Sequence, residues 1–507
     1  MRVLAENMTF SKLAEYGYFH LDSANYKQLS MNSEFIGRST EKELLERSLK
    51  SARSELIAVI GRRRVGKTQL IKQMFDAVLD FEMTGMQHST MQLQLYNFTN
   101  KIIQYSKPKQ PLPIPNNWPE AFNSLRIYLS NKKTNRKKIL FFDELPWIAT
   151  ARSGFLEALG HFWNDWAAYN QVIIIICGSA ASWMIQQVVH HKGSLHNRIT
   201  QLIHLQPFTL AETARFLQSN KVMLNQYQIV QIYMVTGGIP HYLKEIQKGQ
   251  SVAQNIDRLC FAPHGLLKDE FDKLYASLYD KPEHHITVIR ALAKKWMGLT
   301  RSQLLELTGM TDGGSFTRTL AELEQSDFII SIPPFHKKKK DMLYRLIDHY
   351  SLFYLKFMEG KKKGTEGSFL SLGHSQSWKS WCGYAFENIC FSHLSQIKAA
   401  LGIAAVYTEE SSYILKGNSK QRGIQVDMLI DRADGIINIC EMKFYDAPFI
   451  INKKYAYDLQ EKRNVIRKVS PPKKSLLMTL ITCFGLQENS YTSELIQNQI
   501  TIDKLFA

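Results

Sequence analysis

The 507-residue chain has few cysteines, no long apolar run and a shortage of acidic side chains. Each shortage excludes something. The six cysteines, Cys177, Cys260, Cys382, Cys390, Cys440 and Cys483, are scattered and never spaced C-x-x-C, so neither a zinc site nor a disulfide framework is indicated. No stretch reaches the ~18 consecutive apolar residues that a membrane span needs. The first twenty residues carry acidic side chains early and no long apolar core, which argues against a secretory signal and makes the cytoplasm the expected compartment. The pairs His190-His191 and His284-His285 lack the i, i+4 spacing of a helical metal site and read as surface or boundary histidines. Against 63 Lys and Arg stand only 46 Asp and Glu, leaving a net charge of +17. That balance points to a polyanionic partner, most simply nucleic acid, or else to a solvated basic surface.

What is present begins with length. At roughly 150 residues per domain, the chain suggests about three domains. The strongest local signal is "ELIAVIGRRRVGKTQLIKQMF". Leu56 to Ile60 is a short β-prone run. Gly61-Arg62-Arg63-Arg64-Val65-Gly66-Lys67-Thr68 then fits G-x-x-x-x-G-K-[ST]. From Gln69 to Leu79 the pattern is helical, with Leu70, Met74 and Val78 at helical spacing. Strand, glycine loop and helix make a phosphate-binding loop. Glycine lets the backbone wrap close to phosphates, Lys67 neutralises the β- and γ-phosphates, and Thr68 supplies a hydroxyl for Mg²⁺. The expected nucleotide is ATP, held by Gly61 through Gln69.

Such a loop needs a second metal anchor on a neighbouring strand. "KKILFFDELPW" offers one: Ile139 to Phe142 is a buried-type strand ending in Asp143-Glu144. Asp143 is expected in the Mg²⁺ shell, and Glu144 to orient or activate the attacking water. A third strand, "QVIIIICGSAASWM", ends at Gly178-Ser179, which either senses the γ-phosphate or closes a simple turn. Arg198 precedes another strand-like run and is a candidate arginine finger, within its own subunit or on a neighbouring copy.

Phe35-Ile36-Gly37-Arg38, the Gly61–Thr68 loop, Leu140–Glu144, Arg198 and Thr236-Gly237-Gly238-Ile239-Pro240 follow one another in that order. This resembles the archaeal-type P-loop ATPase family, related to AAA+ and to the STAND signalling NTPases, over about residues 35–360. The resemblance implies that Phe35, Gly37 and Arg38 lie near the nucleotide base. It also implies that Gly238 and Pro240, in a helical lid, approach the phosphates. Read without it, Gly237-Gly238 with Pro240 is a turn between two helices.

Three helical stretches and a hairpin come next. Ile286, Ile289 and Leu292 are periodic, Thr300 to Gln303 fits a capping box, and Phe316, Leu320 and Leu323 share a face after Gly313-Gly314. Ile329 to Ile332 and Met342 to Leu346 are strand-like. This is the order of a winged helix-turn-helix. Thr317 and Arg318 then face a DNA groove, with Lys337, Lys338, Lys339 and Lys340 on phosphates. A solvated hairpin tip, or a hinge that touches no DNA, reads equally well. Residues 359–377, rich in Lys, Gly and Ser, read as a linker.

The last segment poses a question of register. "WKSWCGYAFENICFSHLSQI" is helical, with Ala385, Ile389 and His393 near one face and Glu387 on another. Two β-rich runs then flank Arg432-Ala433-Asp434-Gly435, and the second carries Glu441 and Lys443 on one face. With a two-residue turn Asp427 sits opposite Met442. With a three-residue loop, whose last position suits a left-handed glycine, Asp427 faces Glu441. Like charges directly opposite one another are destabilising unless a cation sits between them. This arrangement resembles the PD-(D/E)xK nuclease superfamily over about residues 378–507, with Val426 where that motif has proline. The resemblance implies Asp427 and Glu441 as ligands of Mg²⁺ or Mn²⁺ and the Met442 carbonyl as a further oxygen. Lys443 would orient or deprotonate water, and Glu387 is the accessory acid on the preceding helix.

The expected architecture is therefore a multidomain α/β chain. It comprises an N-terminal extension (1–34), a parallel-sheet P-loop core (35–210), a helical lid (211–275) and a winged helix (276–358). A linker (359–377) leads to a restriction-endonuclease-like domain (378–507). The expected activity is an ATPase that gates a nuclease acting on DNA. An ATP-dependent signalling protein or DNA-binding regulator with a catalytically inactive last domain is the alternative.

Overall fold

The structure is a computed structural model. It describes residues 35–150, 152–190, 193–279, 281–335, 341–360, 367–373, 375–415, 417 and 423–507. No described helix is long and apolar enough to cross a membrane.

The first sheet explains its own sequence. Strands β1 (Glu55–Ile60), β2 (Phe81–Thr84), β3 (Lys138–Asp143), β4 (Val172–Cys177) and β5 (Gln201–His204) run parallel in the order β2-β3-β4-β1-β5. Their central members are apolar throughout because both faces are covered. Leu56, Ala58, Leu140, Phe142, Ile174 and Ile176 enter one core; Ile57, Val59, Ile139, Phe141, Ile173 and Ile175 enter the other. This order corrects one expectation. Asp143 is not on a strand adjacent to the phosphate loop, because β4 lies between β3 and β1. The helix after the loop is also shorter than its periodicity suggests: Lys67–Phe75 is α-helical, and a 3-10 turn follows at Asp76–Val78.

Past β5 the chain is helical. The helices Leu210–Ser219, Gln226–Thr236 and Val252–Cys260 each begin with a reciprocal capping box. Next come Pro282–Ala293, β6 (Leu299–Thr300), Arg301–Thr308, Gly314–Gln325, β7 (Ile329–Ile332) and β8 (Leu343–Leu346), with the sheet ordered β6-β8-β7. Phe316, Leu320 and Leu323 are buried as their spacing requires. His285 departs from the surface reading. It is buried, stacks on Tyr279 at 3.7 Å and lies 2.8 Å from Glu322. The helix His349–Phe357 continues from β8. Within the stretch read as a linker, Ser368–Leu372 is a short helix whose Phe369 is buried. The Asp257 carboxylate organises it by accepting from the Gly367 and Phe369 amides at 2.7 Å each.

The last sheet has five strands among the described residues. β9 (Thr408–Leu415), β10 (Ile424–Arg432) and β11 (Ile436–Lys443) are antiparallel; β12 (Ser475–Thr482) and β13 (Asn498–Thr501) run parallel to β11. The parallel step needs a crossover, which the helix Lys453–Val469 supplies. In the β10–β11 ladder Met428 pairs with Cys440 and Asp431 with Ile437. That register follows the three-residue alternative, and Gly435 closes the loop at φ +86°. The paired ladder ends at Met428 and Cys440, one residue short of Asp427 and Glu441. The helix Gln376–Ser392 packs against this sheet, and residues Ala385 through Phe391 are all buried. Glu387 is buried along with its helical neighbours.

Candidate functional site

The phosphate loop is shaped by backbone that side chains would obstruct. A Cβ on Gly61, at φ +143°, would stand 2.4 Å from the Leu205 carbonyl oxygen. Arg64 and Gly66 also have positive φ, and Gly66 caps the Lys67–Phe75 helix. Lys67 is buried, and its ammonium donates to the Gly61 and Arg62 carbonyls at 2.8 and 2.9 Å. Burial pushes its pKa down, with neighbouring acidic groups only partly compensating. A buried ammonium held by neutral acceptors suits an oxyanion, which would supply the missing counter-charge. These residues fit a nucleotide phosphate. Across β4, Thr68 Oγ1 donates to Asp143 Oδ2 at 2.7 Å, so the two oxygens expected around Mg²⁺ are already together. Glu144 has φ +48°, and its Oε2 accepts from the Ser179 amide and hydroxyl at 3.1 and 2.8 Å. Ser179 thus touches the expected water-activating group, a contact its place in a turn did not reveal.

The other P-loop residues divide clearly. Val65 is buried, Arg63 half-buried, and Thr68 and Gln69 exposed. Arg62 is buried and pairs with Asp348 at 2.6 Å, over the Phe328 ring. Arg64 pairs with Glu270 at 2.5 Å and lies over Tyr242. Tyr242 belongs to the short Pro240–Leu243 helix, and Gly238 packs against the Phe208 carbonyl and the Tyr233 ring. Gly37 precedes Arg38, whose guanidinium donates to the Gln206 and Val65 carbonyls at 2.6 and 3.0 Å. Arg38 also lines a groove of about 930 Å³ with Gln206, Glu212 and Ile229. Phe35 packs under the Lys42 ammonium. Arg198 is exposed in the turn before β5 and makes no side-chain contact to the loop among those described.

Thr317 and Arg318 are exposed on the Gly314–Gln325 helix, and Thr317 Oγ1 accepts from Arg301 at 3.0 Å. Lys337, Lys338, Lys339 and Lys340 lie outside the described residues, as do residues 1–34.

The second cluster lies in the last sheet. Lys443 Nζ is 3.3 Å from Glu441 Oε2, 3.7 Å from Asp427 Oδ2 and 3.2 Å from the Met442 carbonyl. The Met442 amide donates to Asp427 Oδ2 at 3.1 Å. Glu441 is fully buried, and Lys462 and Tyr455 from the crossover helix also donate to it. Electrostatics splits the pair. Burial and the charge of Glu441 raise the Asp427 pKa. Burial would raise Glu441 too, but Lys443 and Lys462 outweigh it and hold it low. Burial opposes the Lys443 charge, yet Tyr455, Asp427 and Glu441 raise its pKa well above the ordinary value. Burial, then the charge of Asp427, lift Glu387 to about 7 despite Arg345, whose guanidinium donates to it at 3.0 Å. No three His, Cys, Asp or Glu side chains are gathered as a metal cluster among the described residues.

Sequence reasoning missed Tyr455 and Lys462. Their seven-residue spacing puts them on one helical face, which was the available signal. For Arg345 and Asp348 there was none, since their partners are distant in sequence.

Residues 35–246 match the family described as an ATPase domain predominantly from Archaea. An uncharacterized protein of Methanocaldococcus jannaschii, MJECL04, is 21% identical over 446 residues, spanning 85% of this chain and 92% of the relative. An uncharacterized ATP-binding protein of the same organism is 48% identical over 42 residues, 8% of this chain and 71% of the relative. Among solved structures, a Walker-type ATPase of Pyrococcus abyssi is 18% identical, with a TM-score of 0.45, covering 64% of this chain and 96% of that one. With the strand order, the phosphate loop and the Thr68–Asp143 contact, residues 35–246 are an ATPase domain of the archaeal type.

Proposed function

We propose that this ATPase gates a metal-dependent nuclease acting on DNA. One observation supports the reading: Lys443 Nζ lies within 3.7 Å of both the Asp427 and the Glu441 carboxylates. In this reading residues 35–210 bind and hydrolyse ATP, 211–275 form the lid, 276–358 a winged helix, and 378–507 the nuclease.

At the first site Lys67 and the loop amides hold phosphates, and Thr68 and Asp143 hold Mg²⁺. Glu144 leaves Ser179 to orient water, and Arg198 serves as an arginine finger. At the second site Asp427, Glu441 and the Met442 carbonyl would hold Mg²⁺ or Mn²⁺, which when bound polarises a phosphodiester and activates water. Lys443, which reaches both carboxylates, would orient or deprotonate the attacking water and offset phosphate charge. Glu387 supports Asp427. The net charge of +17 and exposed Thr317 and Arg318 favour a DNA partner.

A second reading has one observation behind it. Both Glu441 oxygens are engaged, one by Lys462 and the other by Lys443 and Tyr455, which would suit a DNA-binding regulator that does not cut. Incubating plasmid DNA with the protein, Mg²⁺ or Mn²⁺, with and without ATP, separates the two. The nuclease reading expects cleavage that Asp427→Ala and Lys443→Ala abolish. DNA left equally intact by all three proteins would overturn it.

A further inference from the structure

Two buried ion pairs meet on one short segment. Asp348 pairs with Arg62 of the phosphate loop at 2.6 Å, and both side chains are 3% exposed or less. Three residues earlier, Arg345 pairs with Glu387 at 3.0 Å and donates through Nε to Asn388 Oδ1 at 2.6 Å. Asn388 returns a bond, from Nδ2 to the Leu346 carbonyl, at 3.0 Å. The segment joins β8 to the His349–Phe357 helix, so it cannot bend freely at either end. Its Ile347 and Asp348 amides both donate to the Phe328 carbonyl, while the Phe328 ring lies beneath Arg62. The path from the nucleotide loop to the acidic cluster is thus short, charged and rigid.

Such pairs resist partial rupture. Removing one partner of a buried pair strands a charge away from water, which is strongly unfavourable. Moving Arg62 therefore moves Asp348 with it. The lever has a defined input. Lys67 Nζ donates to the Arg62 carbonyl, and a phosphate that draws Lys67 away frees that backbone. The output is Glu387, whose carboxylate interacts electrostatically with Asp427. A second tie runs in parallel: His393, just past the same helix, accepts from the Leu210 amide at the start of the lid.

We propose that Arg345 is a positioning residue for Glu387, and that the nucleotide loop controls it through Asp348. The role assigned to Glu387 rests on the nuclease reading; the mechanical coupling does not.

Hydrogen-exchange mass spectrometry on the full chain tests the coupling without requiring cleavage. ADP and a non-hydrolysable ATP analogue are the probes. Peptides over residues 61–70 report occupancy, and peptides over 376–392 report the helix bearing Glu387. Nucleotide is expected to change exchange in that helix by about threefold or more in the wild type. In Arg345→Gln and Asp348→Asn the loop still responds and the helix does not, while Arg345→Lys restores part of the response. A wild-type loop that responds with a silent helix overturns the proposal, even if Arg345→Gln fails to fold. So does an Arg345→Gln helix that responds as the wild type does. A coupled protein that cleaves nothing would sink the nuclease reading alone; a cleaving protein with a silent helix would sink the coupling alone.

Discussion

The Thr68 hydroxyl donates to the Asp143 carboxylate at 2.7 Å although strand β4 separates the two strands that lead to them. The contact is possible because both residues sit beyond the carboxyl ends of a twisted parallel sheet, where loops converge. It fixes which side chains can share a metal ion and leaves Lys67 to face the phosphates.

Lys67→Ala should weaken binding of a fluorescent ATP analogue by about tenfold or more, roughly 1.4 kcal/mol. Phosphate release should fall to background in that variant and in Asp143→Asn. Unchanged turnover in Lys67→Ala would remove the hydrolytic assignment.

Asp348→Ala strands the buried Arg62 guanidinium. The expected loss is about 3–5 kcal/mol, read as a lower thermal unfolding midpoint. The double variant Arg62→Met with Asp348→Leu should recover most of it, because it removes both charges. Equal midpoints for the single and double variants would mean the pair carries no such burden.

Deleting Arg432 keeps the three-residue Ala433-Asp434-Gly435 loop and slips β10 by one residue against β11. A one-residue slip moves alternate side chains to the other face, so Asp427 leaves Glu441. Mn²⁺ binding followed by paramagnetic resonance should be lost while circular dichroism is kept. Gly435→Ala, at φ +86°, should cost only about 1–2 kcal/mol and retain the register.

His349 and His393 are buried, and desolvation lowers each from 6.5 to about 4. The unfolded chain takes up these protons below pH 6.5, and the native state refuses them until about pH 4. Stability is therefore full above pH 6.5 and declines as the pH falls toward 4, by about 3 kcal/mol per histidine over the full window. His393→Gln keeps an acceptor for the Leu210 amide and should flatten the acid side of a plot of unfolding midpoint against pH. An unaltered slope would show that His393 does not titrate this way.

Local patterns in the chain made several parts legible. Gly61 to Thr68 needs its glycines for close backbone approach, so the loop is written in consecutive residues. The capping box from Thr300 to Gln303 is likewise confined to four residues. The hairpin register was readable as a choice between two loops. The crossover helix was harder, because Lys453–Val469 is strongly polar and its buried residues are few. Tyr455 and Lys462 were lost with it.

By itself, then, the sequence determined the phosphate loop, the strands beneath it and the spacing that puts Glu441 and Lys443 on one face. These follow from glycine conformation, apolar runs and the two-residue period of a strand, all of which act over a few residues. Only the tertiary structure decided that β4 separates Thr68 from Asp143, that Lys462 reaches Glu441, and that Arg62 and Glu387 hold opposite ends of one segment. Those are encounters between side chains up to 286 positions apart. Burial is what selects them, since a charge withdrawn from water must find its counter-charge wherever the fold brings one.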